Sequence, residues 1–466
     1  MRLNHNSMAH TANNNLAAIN NNLTKSMQRL SSGYKVNKSS DDPAAKAISQ
    51  RMHSQLRGLS RAENNANDGI SLIQTAEGAL DEIHSILARI RELAVRGANE
   101  VYAEEDKDAM QDEIDQLRDE LDRISETTDF NGRKLLNGEL NKKGYTDADA
   151  LKVVEIGGDI EPGEYGLTVT ALGEQAKSSI TPLADGKVIS KDEEGTLWIN
   201  HFEIRIKEGM TATEVNEKIR NATSKIGIDY YDNGDLITQE YGTKQHITVN
   251  ASTEELKALF GADGSTTYGK DAEASFGASR VGFSETATVD TQGNRITVTD
   301  KDGFKMVYDI DPDATEEDAA GGISAVNATI TVLSAGPMVL QIGNNEGQTL
   351  NVNISKTTAE SLDIDKINVY TNGYASDAIE RVDNAVAKIS GIRSALGAYQ
   401  NRLEHTVTNL ESSSENLTSA VSRIQDTDMA EEITEYTQQN VLSQSALQML
   451  LKSNARPEGL LQLFQR

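Results

Sequence analysis

Residues 31–50 read SSGYKVNKSSDDPAAKAISQ, a polar stretch between two segments whose apolar residues recur at helical spacing. Gly33 can take the left-handed conformation that ends a helix near Ser32, leaving Tyr34 or Val36 to pack back on its last turn. A new helix can start at once, because Asp42 can accept from the first free N–H groups and Pro43 stands where a missing N–H costs nothing. The stretch therefore predicts one helix ending and a separate one beginning. On these residues alone it is also compatible with an ordinary helix-helix connection.

From Ala45 onward the apolar positions step by alternating fours and threes: Ile48, Met52, Leu59, Ala62, Ala66, Ile73, Ala76, Leu80, Ile83, Leu87, Ile90 and Ala94. Gln55 and Gly69 interrupt this stripe without shifting its phase. A heptad sustained so long predicts a coiled-coil seam. A shorter one follows at Met110, Ile114, Leu117, Leu121 and Ile124. Near the other end, Ile379, Val382, Val386, Ile389, Leu396, Leu403, Val407, Leu410, Leu417, Val421 and Ile424 keep the same register. At ~1.5 Å per residue, 45–94 and 379–424 would be about 75 and 69 Å long, matched as antiparallel partners. Each carries an apolar stripe that it cannot bury alone.

Between these flanks, over roughly 140–370, short alternating runs replace the heptads: GLTVTAL, LWINHFEIRI, ITVNAS, NRITVT, FKMVYDI, ATITVL and LNVNIS. Asn233-Gly234 and Asp302-Gly303 are turn signals among them. Two helical patches, near 211–224 and 253–260, interrupt the strands. The expected fold is multidomain α + β: a long antiparallel helical coiled-coil stem formed by both chain ends, with a β-rich insertion in the middle.

Composition narrows the function. Against 45 basic residues stand 72 acidic ones, and a net charge of -27 repels phosphate backbones and anionic membranes. Neither nucleic acid nor membrane is expected as a partner. The absence of cysteine removes disulfides, thiolate metal sites and cysteine nucleophiles together. No segment approaches ~20 consecutive apolar residues, and the Asn-rich first 22 residues lack the apolar run of a Sec signal.

The extreme ends differ from the stem. Residues 1–40 hold no Asp or Glu, and their apolar set is sparse: Met8, Leu16, Ile19, Leu23, Met27 and Leu30. So few side chains cannot offset the entropy of ordering this length of backbone, so the segment alone should be disordered. It could become helical against other copies or against the last 35 residues, which carry Ile433, Val441, Leu447, Leu450, Leu460, Leu463 and Phe464. An acidic run from Asp426 to Glu435 opposes the basic Arg2, Lys25, Arg29, Lys35 and Lys38 in sign. Complementary ends point to self-assembly, and a solvated charged face is the plainer alternative.

Motifs for chemistry are absent. No histidine lies in an H-E-x-x-H arrangement, and no P-loop, nucleophile elbow or dinucleotide fingerprint occurs. Residues 309–320, DIDPDATEEDAA, begin with the Asp309, Asp311, Asp313 spacing of a calcium loop, but Ala314 and Ala320 stand where Gly and the bidentate Glu belong. No catalytic residue, metal or cofactor is expected, and the chain reads as a non-enzyme.

Three long motifs near the start, LSSGYKVNKSSDDPAAKAIS, NNANDGISLIQTAEGALDEIHSILARIRELAVRGANE and TDFNGRKLLNG, resemble the amino-terminal region of bacterial flagellins. The segment from LGAYQNRLEHTVTNLESSSENLTSAVSRIQDTDMAEEITEYT onward resembles their carboxyl-terminal region. LWINHFEIRIKEGMTATEVNEKI is similar to a small αβ module of some flagellins and hook-associated proteins, near 195–250.

This resemblance implies a subunit that polymerises with itself into the extracellular bacterial flagellar filament for motility. It implies an inner-tube domain from 1–34 and 428–466, a connecting loop over 35–41, an outer-tube domain from 42–140 and 375–427, and an exposed insertion over 141–374. Leu16, Ile19, Leu23, Leu30, Leu447, Leu450, Leu460 and Leu463 would make the inner packing, and Gly33, Asp41, Asp42 and Pro43 would form the joint. The family implies export, unfolded, through the flagellar type III apparatus, a chaperone on the carboxyl tail, and hook-associated and cap proteins as partners. In similar flagellins Toll-like receptor 5 reads the surface around RIRELAV, which matches Arg89, Leu93 and Glu113 here. A hook-filament junction protein, with flagellin-like ends but a heterologous partner, is the alternative.

Overall fold

The computed structural model describes residues 6–99, 101–157, 160–184, 186–276, 281–300, 304–312, 326–333 and 335–464, the last nine and residue 326 as backbone alone. Eight helices occur among them: α1 (Ser7–Ser32), α2 (Pro43–Gly97), α3 (Glu104–Thr127), α4 (Ala212–Lys225), α5 (Glu254–Phe260), α6 (Ala359–Leu362), α7 (Asn372–Gln425) and α8 (Met429–Phe464). The strands lie between α3 and α7, so helices at both chain ends enclose a β-rich middle. The chain divides into two compact units, one of Met1–Asp68, Gln341–Thr349 and Leu403–Arg466, the other of Gly69–Leu340 and Leu350–Arg402.

The first unit contains α1, α8, the start of α2 and the end of α7. Leu59 and Ala62 of α2 pack on Leu410 of α7, with Leu417 beside them. Further along the same two helices, buried Ser49 donates from Oγ to Gln425 Oε1 at 2.7 Å. The loop 341–349 approaches α2 closely enough that a Cβ on Gly58 would lie 3.0 Å from the Asn344 Cβ, and Asn65 Nδ2 donates to the Gln341 carbonyl.

In the second unit most of the heptad stripe is buried, while Leu117, Ile124 and Val386 are half-buried. Ile73, Ala76, Leu80, Ile83, Leu87, Ile90 and Ala94 of α2 are buried, as are Met110, Ile114 and Leu121 of α3 and Val382, Ile389 and Leu396 of α7. Arg91 pairs with Asp383 and Asp81 with Arg393, so α2 and α7 run antiparallel here. In α7 the buried face includes Ala375 and Ala378, while Ile379 is half-buried. Small side chains let the helix sit close to its neighbours there.

Two β modules complete this unit. One has a sheet of strands 175–179, 235–241 and 228–230 and a second in the order 266–268, 246–251, 195–199, 202–206, with α4 and α5. A capping box starts α4: Thr211 Oγ1 accepts from the Glu214 N–H, and the Glu214 carboxylate accepts from the Thr211 N–H at 2.8 Å. Val215, Ile219, Leu256 and Phe260 from these helices share a core with Leu197, Ile204 and Ile247 from the strands. Gly234, at φ +91, turns the chain between strands 228–230 and 235–241.

The other module sets two four-stranded sheets around one core of Tyr165, Leu167, Phe283, Ile296, Val298, Tyr308 and Ile330. Strand 305–310 contains Asp309, which pairs with Arg295 at 2.9 Å, so the first acid of the candidate calcium stretch is already engaged. Residues 313–320 of that stretch, and the Asp302-Gly303 turn, lie outside the described residues. Among the described residues no acidic or histidine cluster could hold a metal, and no helix is long and apolar enough to cross a membrane.

Candidate functional site

The joint between α1 and α2 is built by short-range hydrogen bonds. Gly33, at φ +76, closes α1 by donating its N–H to the Arg29 carbonyl at 2.8 Å. Asp41 Oδ2 accepts from the Lys38 N–H at 2.8 Å and the Asn37 N–H at 3.2 Å. The Lys38 bond is the main cause that holds the Asp41 carboxyl below the usual carboxylate range. Asp42 Oδ1 accepts from Ala44 and Ala45 N–H at 3.0 Å each, with Pro43 opening α2 between them.

The joint is also tied to the far end of the chain. Lys35 N–H donates to the Gln425 carbonyl at 2.7 Å, and Thr427 N–H to the Gly33 carbonyl at 3.0 Å. Val36 is buried, and Gln425 Oε1 lies 2.9 Å from His53 Nε2 as well as accepting from Ser49. Gln425 follows directly on the apolar stripe that ends at Ile424. The stripe gives no sign that its next residue is a buried polar clasp.

Residues Ser7–Ser32 are helical and lie against α8. Their links are mostly polar: Asn6 Nδ2 donates to the Ser453 carbonyl at 3.0 Å, Ser443 Oγ to Asn20 Oδ1 at 3.0 Å, and Arg29 faces Glu432 at 3.6 Å. Among the described residues the buried members of this pair are Ser26 and Glu432, with no apolar side chain. Leu16, Ile19, Leu23, Leu30 and Leu450 are half-buried. Leu447 is 48% exposed and Met449 69%. A groove of about 500 Å³, lined by Met8, Ile19, Leu442 and Met449 among others, runs between the two helices. Leu460 and Leu463 belong to α8, but their side chains lie outside the described residues.

On α2 and α3 a second cluster forms. Arg89 Nε donates to Glu113 Oε1 at 2.7 Å and Nη1 to Glu92 Oε2 at 2.6 Å, and Arg96 reaches Glu92 Oε1 at 2.9 Å. The Glu113 and Glu92 bonds raise the Arg89 pKa above its ordinary value, and Arg89 in turn lowers that of Glu92. Arg89 and Glu113 are thus together at the surface. Leu93 is not with them, because its side chain is buried, 1% exposed. Glu92 and Arg96, one helical turn apart, are members that the motif did not single out.

The region described as bacterial flagellin N-terminal helical region matches residues 3–141, and the flagellin C-terminal helical region matches 379–464. A flagellin of Clostridium tyrobutyricum is 35% identical over 459 residues, covering 98% of this chain and 100% of that one. A flagellin of Bacillus subtilis is 30% identical over 466 residues, covering all of both chains. The B-type flagellin of Pseudomonas aeruginosa is 30% identical over 528 residues, covering 98% of this chain and 100% of its own.

Proposed function

Because the chain belongs to the bacterial flagellin family, we propose that it polymerises with itself into the extracellular flagellar filament through α1 and α8. One observation carries this reading. Two helices of 26 and 36 residues bury no apolar side chain among the described residues, yet leave Leu447, Met449 and Met27 exposed. Such a pair gains its stability when neighbours cover it, and contacts that do not close on themselves build a helix of subunits.

In this reading 1–34 and 428–466 form the inner tube, with Leu16, Ile19, Leu23, Leu30, Leu447, Leu450, Leu460 and Leu463 as packing residues. Gly33, Asp41, Asp42 and Pro43 hold the joint over 35–41. Residues 42–140 and 375–427 form the outer tube, and 141–374 project from it. Export is unfolded through the flagellar type III apparatus, with a chaperone on the carboxyl tail, and hook-associated and cap proteins meet the filament at its ends.

The test is seeded polymerisation of the full chain beside a version lacking residues 1–35 and 430–466, followed by electron microscopy. Long filaments from the intact chain alone are expected. If the intact chain fails to extend its own seeds and binds hook or filament tips instead, it is a junction protein.

The exposed Arg89–Glu113 pair supports a second role, recognition by Toll-like receptor 5, with buried Leu93 holding the helix surface from beneath. Receptor-reporter cells given Arg89→Ala and Glu113→Ala monomers test it. Undiminished signalling from both would remove these residues from the contact.

A further inference from the structure

In the sheet of strands 195–199, 202–206, 246–251 and 266–268, Leu197, Ile199, Ile204, Ile206, Ile247 and Val249 point into the module core. Strand alternation therefore puts Trp198, Glu203, His246, Thr248, Asn250 and Tyr268 on the opposite face, where each is exposed or half-exposed. Trp198 is the sole tryptophan of the chain. Its backbone register sets it directly between Asn250 and Glu203. At the other end of the face the His246 and Tyr268 rings lie 5.9 Å apart, with Tyr268 66% exposed.

We propose that this face binds a neutral linear oligosaccharide, laid diagonally from Trp198 to the His246–Tyr268 pair. Strand spacing and rise put these two aromatic stations roughly 16 Å apart, room for a short run of sugar rings. Aromatic rings offer stacking faces to the C–H sides of sugars, while amide, hydroxyl and carboxylate groups between them both donate to and accept from sugar hydroxyls. Thr248 Oγ1 lies 2.7 Å from Thr266 Oγ1, a hydroxyl pair midway along the diagonal.

Charge selects the neutral class. Arg205 Nε donates to Glu203 Oε1 at 2.8 Å, so the one carboxylate beside Trp198 is matched. Arg205 on this face is already paired with Glu203, which leaves the face close to uncharged on a chain of net charge -27, so an anionic polymer gains little here and is repelled by the rest. The inference stands apart from polymerisation, since it rests on one sheet of one module.

Trp198 is its own reporter. The full-length monomer is titrated with cellohexaose, chitohexaose and mannohexaose, with polygalacturonate as the anionic comparison, and tryptophan emission is followed. A saturable shift with at least one neutral hexasaccharide is expected, weakened about tenfold by Tyr268→Ala and by Asn250→Ala, two exposed positions. Tyr145→Ala, an exposed tyrosine on another sheet, leaves it unchanged. The proposal is overturned if no neutral hexasaccharide gives saturation, if the shift survives both face variants, or if polygalacturonate alone produces it.

Discussion

Lys388 Nζ donates to Glu155 Oε2 at 2.7 Å, joining α7 to the strand Leu151–Ile156 with both side chains largely out of water. The same ammonium donates to the Ser361 carbonyl at 2.8 Å. Burial pushes the Lys388 pKa below its ordinary value, and Glu155 is the main group opposing that shift. The β module is thus fastened to the helix by a pair that is costly to half-remove.

Lys388→Ala leaves the Glu155 carboxylate buried without its cation and is expected to cost about 3–5 kcal/mol. Lys388→Met combined with Glu155→Leu should recover most of that loss. Urea unfolding of the monomer, followed by the Trp198 signal and by circular dichroism, measures both.

Gln425 joins three segments, since its side chain accepts from Ser49 and meets His53 while its carbonyl accepts from Lys35. Gln425→Leu strands the buried Ser49 hydroxyl and is expected to destabilise the first unit by about 1–3 kcal/mol. Hydrogen exchange at Lys35 and Val36 should rise in the variant if the clasp works as described.

Exposed apolar residues of α8 carry the polymerisation reading. Leu447→Ser and Met449→Ser should change monomer stability by no more than about 0.5 kcal/mol, as surface substitutions do. They should nevertheless abolish filament extension from wild-type seeds. Normal extension by the double variant would place assembly elsewhere.

Acid acts on the αβ module through Glu193. Lys187 Nζ and the Ser190 N–H donate to its carboxylate and lower its pKa from 4.5 to about 2. A carboxyl whose folded pKa is depressed stabilises fully above the unfolded value, and that contribution fades as pH falls toward the folded one. The difference in unfolding midpoint between wild type and Glu193→Gln should therefore be constant above pH 4.5 and close as pH falls to about 2.

For the Arg89–Glu113 pair, both side chains are substantially exposed, so solvent screens the interaction. Arg89→Ala should leave the thermal unfolding midpoint of the monomer essentially where it is. Loss of receptor signalling by this variant would then report a lost contact and not a lost fold.

Some of this is legible in the amino-acid sequence. The caps at Gly33 and Asp42 depend on backbone groups within four residues, and the seam through Leu80, Leu87 and Ala94 repeats with the period of the helix itself. Such features are properties of neighbouring residues, so the order of amino acids determines them: long helices at both ends, strands between, and a break at 33–42. The tertiary structure alone decided that Leu93 lies inside while Arg89 and Glu113 stay outside, that Gln425 clasps Ser49, and that Lys388 finds Glu155, 233 positions away in the chain. A heptad marks which side of a helix is apolar, but a residue at its margin is covered or bare according to what packs there. Polar partners far apart in the chain leave no periodic trace, and only the folded packing, of α7 on α2 for Gln425 and of α7 on the strand Leu151–Ile156 for Lys388, brings them within reach.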